Sequence, residues 1–468
     1  MARLNGFTKK QIIEVYRKMA LSRKLDDKML ILLKQGKSFF HIGASGHEAA
    51  QLAAAEVIKP GEDWSFPYYR DGAYCIGLGM TAREQLLSFL AKADDPNSGG
   101  RQMPQHYGHK DLRIVSQSSP TGTQFLQAVG CAMVCKMGKT KEVVYVSAGE
   151  GTTSQGDFHE ALNWASNSKA PVIFHIQDNE YAISTHRSEQ TASSIYDMTS
   201  GYGNLSRYDV DGTDFFETSL AFKEAVQRAR RNKGPTIIVS HVVRLLPHSS
   251  SDDQRKYRDE KSLNDDLKKD PLLILESICT DAKFIKADEF AKIRMRVDKD
   301  VDSDSAWAEE QDFPEPSTAM DHIYSSKKYA EEPIFNSIAE KIVIVDAINH
   351  ALHEEMELND KMIVYGQDIA DPKGGVFTAT KGLSDHFGNG RVFNSPLAES
   401  SIIGTAVGMA VAGYKPVVEI QFGDYIWTAM MQIRNEVATM RYRSNNSWAC
   451  PMVIRVPVGG YIHGALCH

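Results

Sequence analysis

The chain has 468 residues, a formal net charge of −7, and 42% hydrophobic and 24% charged residues, the balance of a globular protein too long for one ordinary domain. An acidic total with no long basic run argues against nucleic acid as a partner. No stretch reaches the roughly 18 apolar residues of a membrane span, Met1–Gly6 lacks a signal-peptide core, and the six cysteines show no CxxC or zinc spacing, so a reduced, cytoplasmic protein is expected.

Residues 7–36 place Ile12, Ile13, Tyr16, Met19, Leu21 and Leu25 at helical intervals and predict an amphipathic helix. A turn through Ser38–Gly43 leads into a helix containing Glu48. Phe66-Pro67-Tyr68-Tyr69-Arg70-Asp71-Gly72 follows; alone, a Tyr-Arg pair is more often structural than functional. Gly100-Arg101-Gln102-Met103-Pro104-Gln105-His106-Tyr107-Gly108 comes next. Ser118-Ser119-Pro120-Thr121-Gly122-Thr123-Gln124 reads as an N-capped turn into a small-residue helix, where Cys131 and Cys135 lie one turn apart as core.

Residues 142–183 organise the rest. Val143–Ser147 is a β-branched run ending in Ala148-Gly149, and Val172–Ile176 is a second run ending in Gln177-Asp178-Asn179. Both read as buried parallel strands. Between them, Phe158, Ala161, Leu162 and Ala165 mark one face of a helix that Pro171 stops. Neighbouring parallel strands lie about 4.8 Å apart, so Glu150 and Asn179 are expected to converge at the carboxyl edge, where ligands of open parallel sheets bind. A carboxylate, an amide oxygen and a carbonyl near Tyr181 make an all-oxygen set suited to Mg²⁺. Gly149 and Gly151 let the backbone approach a diphosphate. Ser154 excludes a Gly-x-Gly-x-x-Gly fingerprint, and no Gly-Lys-Ser/Thr follows to make a P-loop.

Ile237–Val243 predicts another parallel strand, followed by a polar loop, Arg244 to Asp253, that includes His248 and Ser249. Residues 262–297 read as helices, and the acidic, Ser- and Pro-bearing stretch 298–333 as a linker. A second unit then begins. Lys341–Asp346 leads into a helix with Leu352 and Met356, and Met362–Gly366 predicts a strand. Ser395-Pro396-Leu397-Ala398-Glu399 opens a Gly/Ala-rich helix over 402–413, and Phe422-Gly423-Asp424-Tyr425-Ile426 follows. Taken alone, Glu399 is a helix-start carboxylate favoured by the dipole.

Together, Gly149-Glu150-Gly151, Gly156, Glu160, Asn163, Pro171 and Asp178-Asn179-x-Tyr181 resemble the thiamin-diphosphate motif, with Glu150 for the commoner Asp and Asp178 for the first Asn. Gly100–Gly108 is similar to a segment of the branched-chain 2-oxo acid dehydrogenases, and the part from Gly366 onward resembles the β subunit of the same enzymes. The resemblance implies an α/β chain of two transketolase-like thiamin-diphosphate-binding domains, with parallel sheets flanked by helices. An α-type half over 1–297 and a β-type half over 334–468 would be joined by the acidic linker. It implies thiamin diphosphate with Mg²⁺ on Glu150, Asn179 and the Tyr181 carbonyl; Tyr69, Arg70, Ser119, Gly149, Gly151, Arg244 and Tyr425 around the cofactor; and a K⁺ at Ser118, Pro120, Thr123 and Gln124. Glu399 would activate the pyrimidine, with His248 and His468 as catalytic histidines.

The expected reaction is oxidative decarboxylation of a branched-chain 2-oxo acid, with reductive acyl transfer to the lipoyl group of a dihydrolipoyl acyltransferase. A homodimer is expected. A pyruvate-type dehydrogenase is the near alternative, and a non-catalytic truncated fragment the distant one. Three further points accompany the resemblance. Gln367 stands where the family usually has Glu, Ser249 matches a position phosphorylated in mitochondrial relatives, and relatives continue beyond His468, so the β-type half is expected to be incomplete.

Overall fold

The computed structural model describes residues 4–326, 341–459 and 463. His468 and residues 327–340 lie outside them.

The first half is built on five parallel strands, β1 (Trp64–Phe66), β2 (Val144–Gly149), β3 (Val172–Asp178), β4 (Ser206–Asp211) and β5 (Thr236–His241), in the order β1-β2-β3-β5-β4. Every residue of β3 is buried, which is why it reads as a continuous run rather than an alternation. Flanking helices include α1 (Lys9–Lys34), α2 (Glu48–Ala55), α3 (Thr123–Met137), α4 (Gly156–Ser168), α5 (Phe215–Arg230) and α6 (Ala287–Glu309). Thr8 caps α1 in a reciprocal box with Gln11.

One expectation is corrected here. Residues 298–309 are not linker but the second half of α6, which packs along α1. Val297, Val301, Ser305 and Ala308 repeat at helical spacing and are buried. The acids that gave the stretch its linker-like composition form that helix's polar face. Asp298 pairs with Lys24 at 3.2 Å, Asp302 with Lys28 at 2.5 Å and Asp304 with Arg83 at 2.7 Å. A division of the chain at 298 would therefore cut a helix.

The second half has four parallel strands, β6 (Met362–Gly366), β7 (Val392–Asn394), β8 (Lys415–Glu419) and β9 (Val453–Arg455), ordered β7-β6-β8-β9. Its helices include α7 (Ile344–Leu358), α8 (Leu383–Phe387) and α9 (Glu399–Val411).

The halves meet where α9 crosses α3, and three glycines set how close they come. A Cβ on Gly130 would lie 1.9 Å from the Thr405 carbonyl oxygen, one on Gly408 1.8 Å from that of Gln127, and one on Gly404 2.6 Å from Leu126 Cβ. The small residues after Glu399 thus serve contact between two helices, and Phe125, Leu126, Val129, Ile402, Ile403 and Val407 fuse into one apolar core.

Candidate active site

Most of the site's residues follow strand carboxyl ends. Tyr69-Arg70 come after β1, Glu150 after β2, Asn179 after β3, and Arg244 and His248 after β5. These four strands are neighbours in the sheet, and β2 and β3 end in register, Gly149 opposite Gln177. That alignment delivers Glu150 and Asn179 to one point. The Asn179 backbone N–H donates to Glu150 Oε2 at 3.3 Å, and Asn179 Oδ1 accepts from the Tyr181 N–H at 3.2 Å. Asp178 is held away, its carboxylate taken by Arg187. Glu150 is buried, and that burial, with the charge of Asp178 nearby, pushes its carboxyl group up to about 7.

Opposite these oxygens lie two buried guanidinium groups. Arg70 is 2% exposed and Arg244 1%, and among the described residues neither comes within salt-bridge distance of a carboxylate. Arg70 donates to the Gly43 carbonyl at 2.6 Å and to the His248 carbonyl at 3.3 Å. Arg244 donates to the carbonyls of Ala182 and Ile183 and to Tyr257 Oη, at 3.2, 3.1 and 2.7 Å, while its Nε has no partner among the described residues. Burial and the charge of Arg70 pull Arg244 below the usual arginine range. Buried charge without a counter-ion is costly, so the pair fits a dianionic or trianionic group such as a diphosphate. Burial and the two arginines also depress His248 to about 4, and its ring meets Tyr69 edge-on at 6.0 Å.

The glycines divide their work. A Cβ on Gly151 would strike Ala182 Cβ at 2.9 Å, so Gly151 lets the Glu150–Ser154 turn approach the loop after Asn179. At Gly149 a Cβ would meet only ordinary contacts at 3.8 Å and beyond, leaving that backbone open to a ligand.

Ser119 donates to or accepts from His106 Nε2 at 2.7 Å, and the His106 ring lies 6.5 Å from that of Tyr69, which ties the Gly100–Gly108 segment to the arginine side. Ser118, Pro120, Thr123 and Gln124 all have protein partners. Ser118 donates to Glu436, Thr123 to the Pro120 carbonyl at 3.3 Å and Gln124 to the Ser147 carbonyl at 3.1 Å. This loop joins the halves, because the same Glu436 takes Arg443 at 2.7 Å and Arg443 donates to the Ser116 carbonyl at 3.0 Å.

From the second half, Gln367 follows β6, Glu399 follows β7 and Tyr425 follows β8, again at carboxyl ends. Glu399 is half-buried. Gln367 Nε2 donates to its Oε1 at 3.3 Å, and Thr428 Oγ1 lies 3.0 Å from its Oε2 and 2.8 Å from the Tyr425 carbonyl. The next two residues lock onto α4, which begins just after the Glu150 turn. Ser400 donates to Asp157 at 2.8 Å and Ser401 to Glu160 at 2.7 Å. Glu399 thus enters from the facing half beside the helix that Glu150 leads into.

Sequence reasoning missed a buried polar network behind Asn179. His47 Nδ1 lies 2.8 Å from Gln177 Oε1 and its Nε2 3.5 Å from Asn179 Nδ2. Gln177 Nε2 donates to Asp71 at 2.6 Å, and Ser147 donates to the other Asp71 oxygen. The signal was available in Gly46-His47-Glu48-Ala49-Ala50-Gln51, a polar cluster opening an alanine-rich helix that is buried throughout. Burial and Arg70 hold His47 well below the usual histidine range, so it is neutral.

Both halves of the chain match families of known proteins. The family model for the dehydrogenase E1 component matches residues 16–317, and that for the transketolase pyrimidine-binding domain residues 340–467. The 2-oxoisovalerate dehydrogenase subunit alpha of Bacillus subtilis (strain 168) is 41% identical over 322 residues, 68% of this chain and 97% of that subunit. The beta subunit from the same organism is 52% identical over 124 residues, 26% of this chain and 38% of that subunit. A pyruvate dehydrogenase E1 component subunit alpha from Staphylococcus aureus (strain Mu50 / ATCC 700699) is 35% identical over 267 residues, 57% of this chain and 69% of that subunit. With both thiamin-diphosphate-binding units present in one polypeptide, the chain belongs to the dehydrogenase E1 component family of 2-oxo acid dehydrogenases.

Proposed function

We propose that this chain decarboxylates a branched-chain 2-oxo acid such as 3-methyl-2-oxobutanoate and passes the acyl group to the lipoyl arm of a dihydrolipoyl acyltransferase. The observation that carries the reading is the pair of buried arginines, Arg70 and Arg244, which have no carboxylate within salt-bridge distance among the described residues and lie on the side of the sheet edge where Glu150 and Asn179 meet. Glu150, Asn179 and the Tyr181 carbonyl would hold Mg²⁺, while Tyr69, Arg70, Arg244 and His248 would bind the diphosphate. When bound, thiamin diphosphate supplies the nucleophilic carbon and electron sink that no side chain offers. Glu399 would hold a proton at the far nitrogen of the pyrimidine, with Gln367 and Thr428 fixing its orientation. His248, neutral at working pH, is suited to accept or direct a proton near the substrate. The branched-chain preference is supported by the likeness of both halves to 2-oxoisovalerate dehydrogenase subunits.

Calorimetric titration of thiamin diphosphate and Mg²⁺ into the chain, beside Glu150→Ala, tests the site. Saturable binding that disappears in the variant is the expected result, and undiminished binding in the variant refutes the assigned metal ligands. Turnover of 3-methyl-2-oxobutanoate against pyruvate with an artificial electron acceptor then decides the substrate. A higher kcat/KM for pyruvate would replace the branched-chain assignment.

A further inference from the structure

Away from the E1 site, α7 and α8 bring together three ligand-type side chains: His353, Glu357 and His386. One ligand atom from each lies within 4.8 Å of the other two. His353 and Glu357 stand four residues apart on α7 and so share a face. His386 comes from α8; its Nε2 lies 2.6 Å from Glu357 Oε1, and its ring centroid 4.6 Å from that of His353. A hydrogen bond between His386 and Glu357 accounts for two members of the group but not for the third. His353 is half-buried and has no hydrogen-bond partner among the described residues.

The scaffold beneath is fixed. Leu352 and Met356 of α7 and Leu383 of α8 are buried in one apolar cluster with Phe387 packed against it. Asn349 donates to the carbonyls of Ala379 and Lys381 at 3.0 and 3.1 Å, and Asp371 accepts from the backbone N–H groups of Gly382 and Ser384 at 2.7 and 3.1 Å. Both ligand-bearing helices are therefore held before any ion arrives.

We propose that His353, Glu357 and His386 form a site for a borderline transition-metal dication, Zn²⁺ above all, distinct from the E1 site. Two imidazoles and one carboxylate are a zinc donor set, with a fourth position left for water. Zinc bonds of about 2.0–2.2 Å put tetrahedral ligand atoms roughly 3.4 Å apart, which rotamer adjustments within the present cluster reach. Imidazole donors disfavour Mg²⁺, so the ion needed by thiamin diphosphate does not compete. The bound ion would tie α7 to the loop and helix that follow β6.

The test is a zinc titration of the full chain against a chromophoric indicator in excess Mg²⁺. One zinc is expected per chain, with affinity at least about tenfold weaker in His353→Ala and in His386→Ala, since even residues supporting a ligand typically matter by that factor. Glu150→Ala should bind zinc like the parent. Zinc should also raise the Tm of the parent and not of the double histidine variant, each compared with its own metal-free Tm. Absence of zinc binding, its survival in the double variant, or its loss in Glu150→Ala overturns the proposal.

Discussion

Gln367 donates its amide N–H to Glu399 across 3.3 Å, so the carboxylate assigned to pyrimidine activation is paired with a neutral donor. An amide cannot share a proton with Glu399 as a second carboxyl group would. Gln367→Glu places two carboxylates in contact, and one must then take up a proton. The expected outcome is a kcat profile whose acidic limb moves to higher pH, with cofactor affinity changed by less than tenfold. An unmoved profile would show that Gln367 does not influence Glu399.

Glu399 itself is expected to be the most sensitive position. Glu399→Gln retains the side chain's shape but removes its basicity, and proton transfer of this kind contributes about 10²–10⁴-fold in rate. Turnover should fall by at least about a hundredfold while calorimetry still records thiamin diphosphate binding. Turnover within tenfold of the parent would exclude the proposed role.

Arg244 is a buried cation that, among the described residues, is bonded only to neutral groups. A charge-assisted hydrogen bond contributes about 1.5–3 kcal/mol, so Arg244→Met should weaken thiamin diphosphate binding by roughly ten- to a hundredfold. The same variant should bind free thiamin, which lacks the anion, as the parent does. Equal weakening of both would mean that the guanidinium shapes the pocket rather than meeting a diphosphate.

These residues differ in how readable they are from sequence. Glu150 and Asn179 were legible because each ends an apolar run buried on both faces, and parallel neighbours with aligned ends must bring those ends together. The α6 helix was hidden by composition. Its acids look like a solvated linker until Lys24, Lys28 and Arg83, all more than two hundred residues earlier, supply their partners. Gln177, His47 and Asp71 were illegible as a group for the same reason, since their pairing exists only once β3, α2 and the segment after β1 are side by side. Gly404 and Gly408 were legible as part of a Gly/Ala-rich helix, but what that helix packs against was not. Nothing near them in sequence points to α3.

That crossing yields a stability prediction. A methyl group at Gly408 would overlap the Gln127 carbonyl and, at 2.7 Å, the Cys131 N–H, both of which are backbone within a helix. Neither can move aside as a side-chain end would. Overpacking of this kind costs about 1–3 kcal/mol and occasionally more, so Gly408→Ala should lower the urea midpoint by a corresponding amount. Gly413→Ala tests the other glycine effect: its φ of +90° is strained for alanine, but a Cβ there meets nothing within 4 Å. If Gly408→Ala were as stable as the parent, the tight α3–α9 contact would be refuted.

Two buried groups give opposite pH dependences to folding. His175, enclosed by Tyr145 and Ser240, is depressed by burial from 6.5 to about 3. Between those values the unfolded chain binds the extra proton, so the contribution of His175 is complete above about 6.5 and is lost as pH falls. Asp71 is raised by burial from 3.8 to about 7, despite hydrogen bonds from Ser147 and Gln177. Here the folded state binds the proton, so its stabilisation is complete below about 3.8 and is lost as pH rises toward 7. Each group alone contributes a slope of about 1.4 kcal/mol per pH unit inside its window. Urea unfolding of His175→Gln and Asp71→Asn across pH 4–7 should therefore change the parent's slope in opposite directions. The histidine variant should lose less stability on acidification, and the aspartate variant less on alkalinisation. Slopes that change in the same direction would mean that at least one of the two groups titrates near its ordinary value in the folded protein.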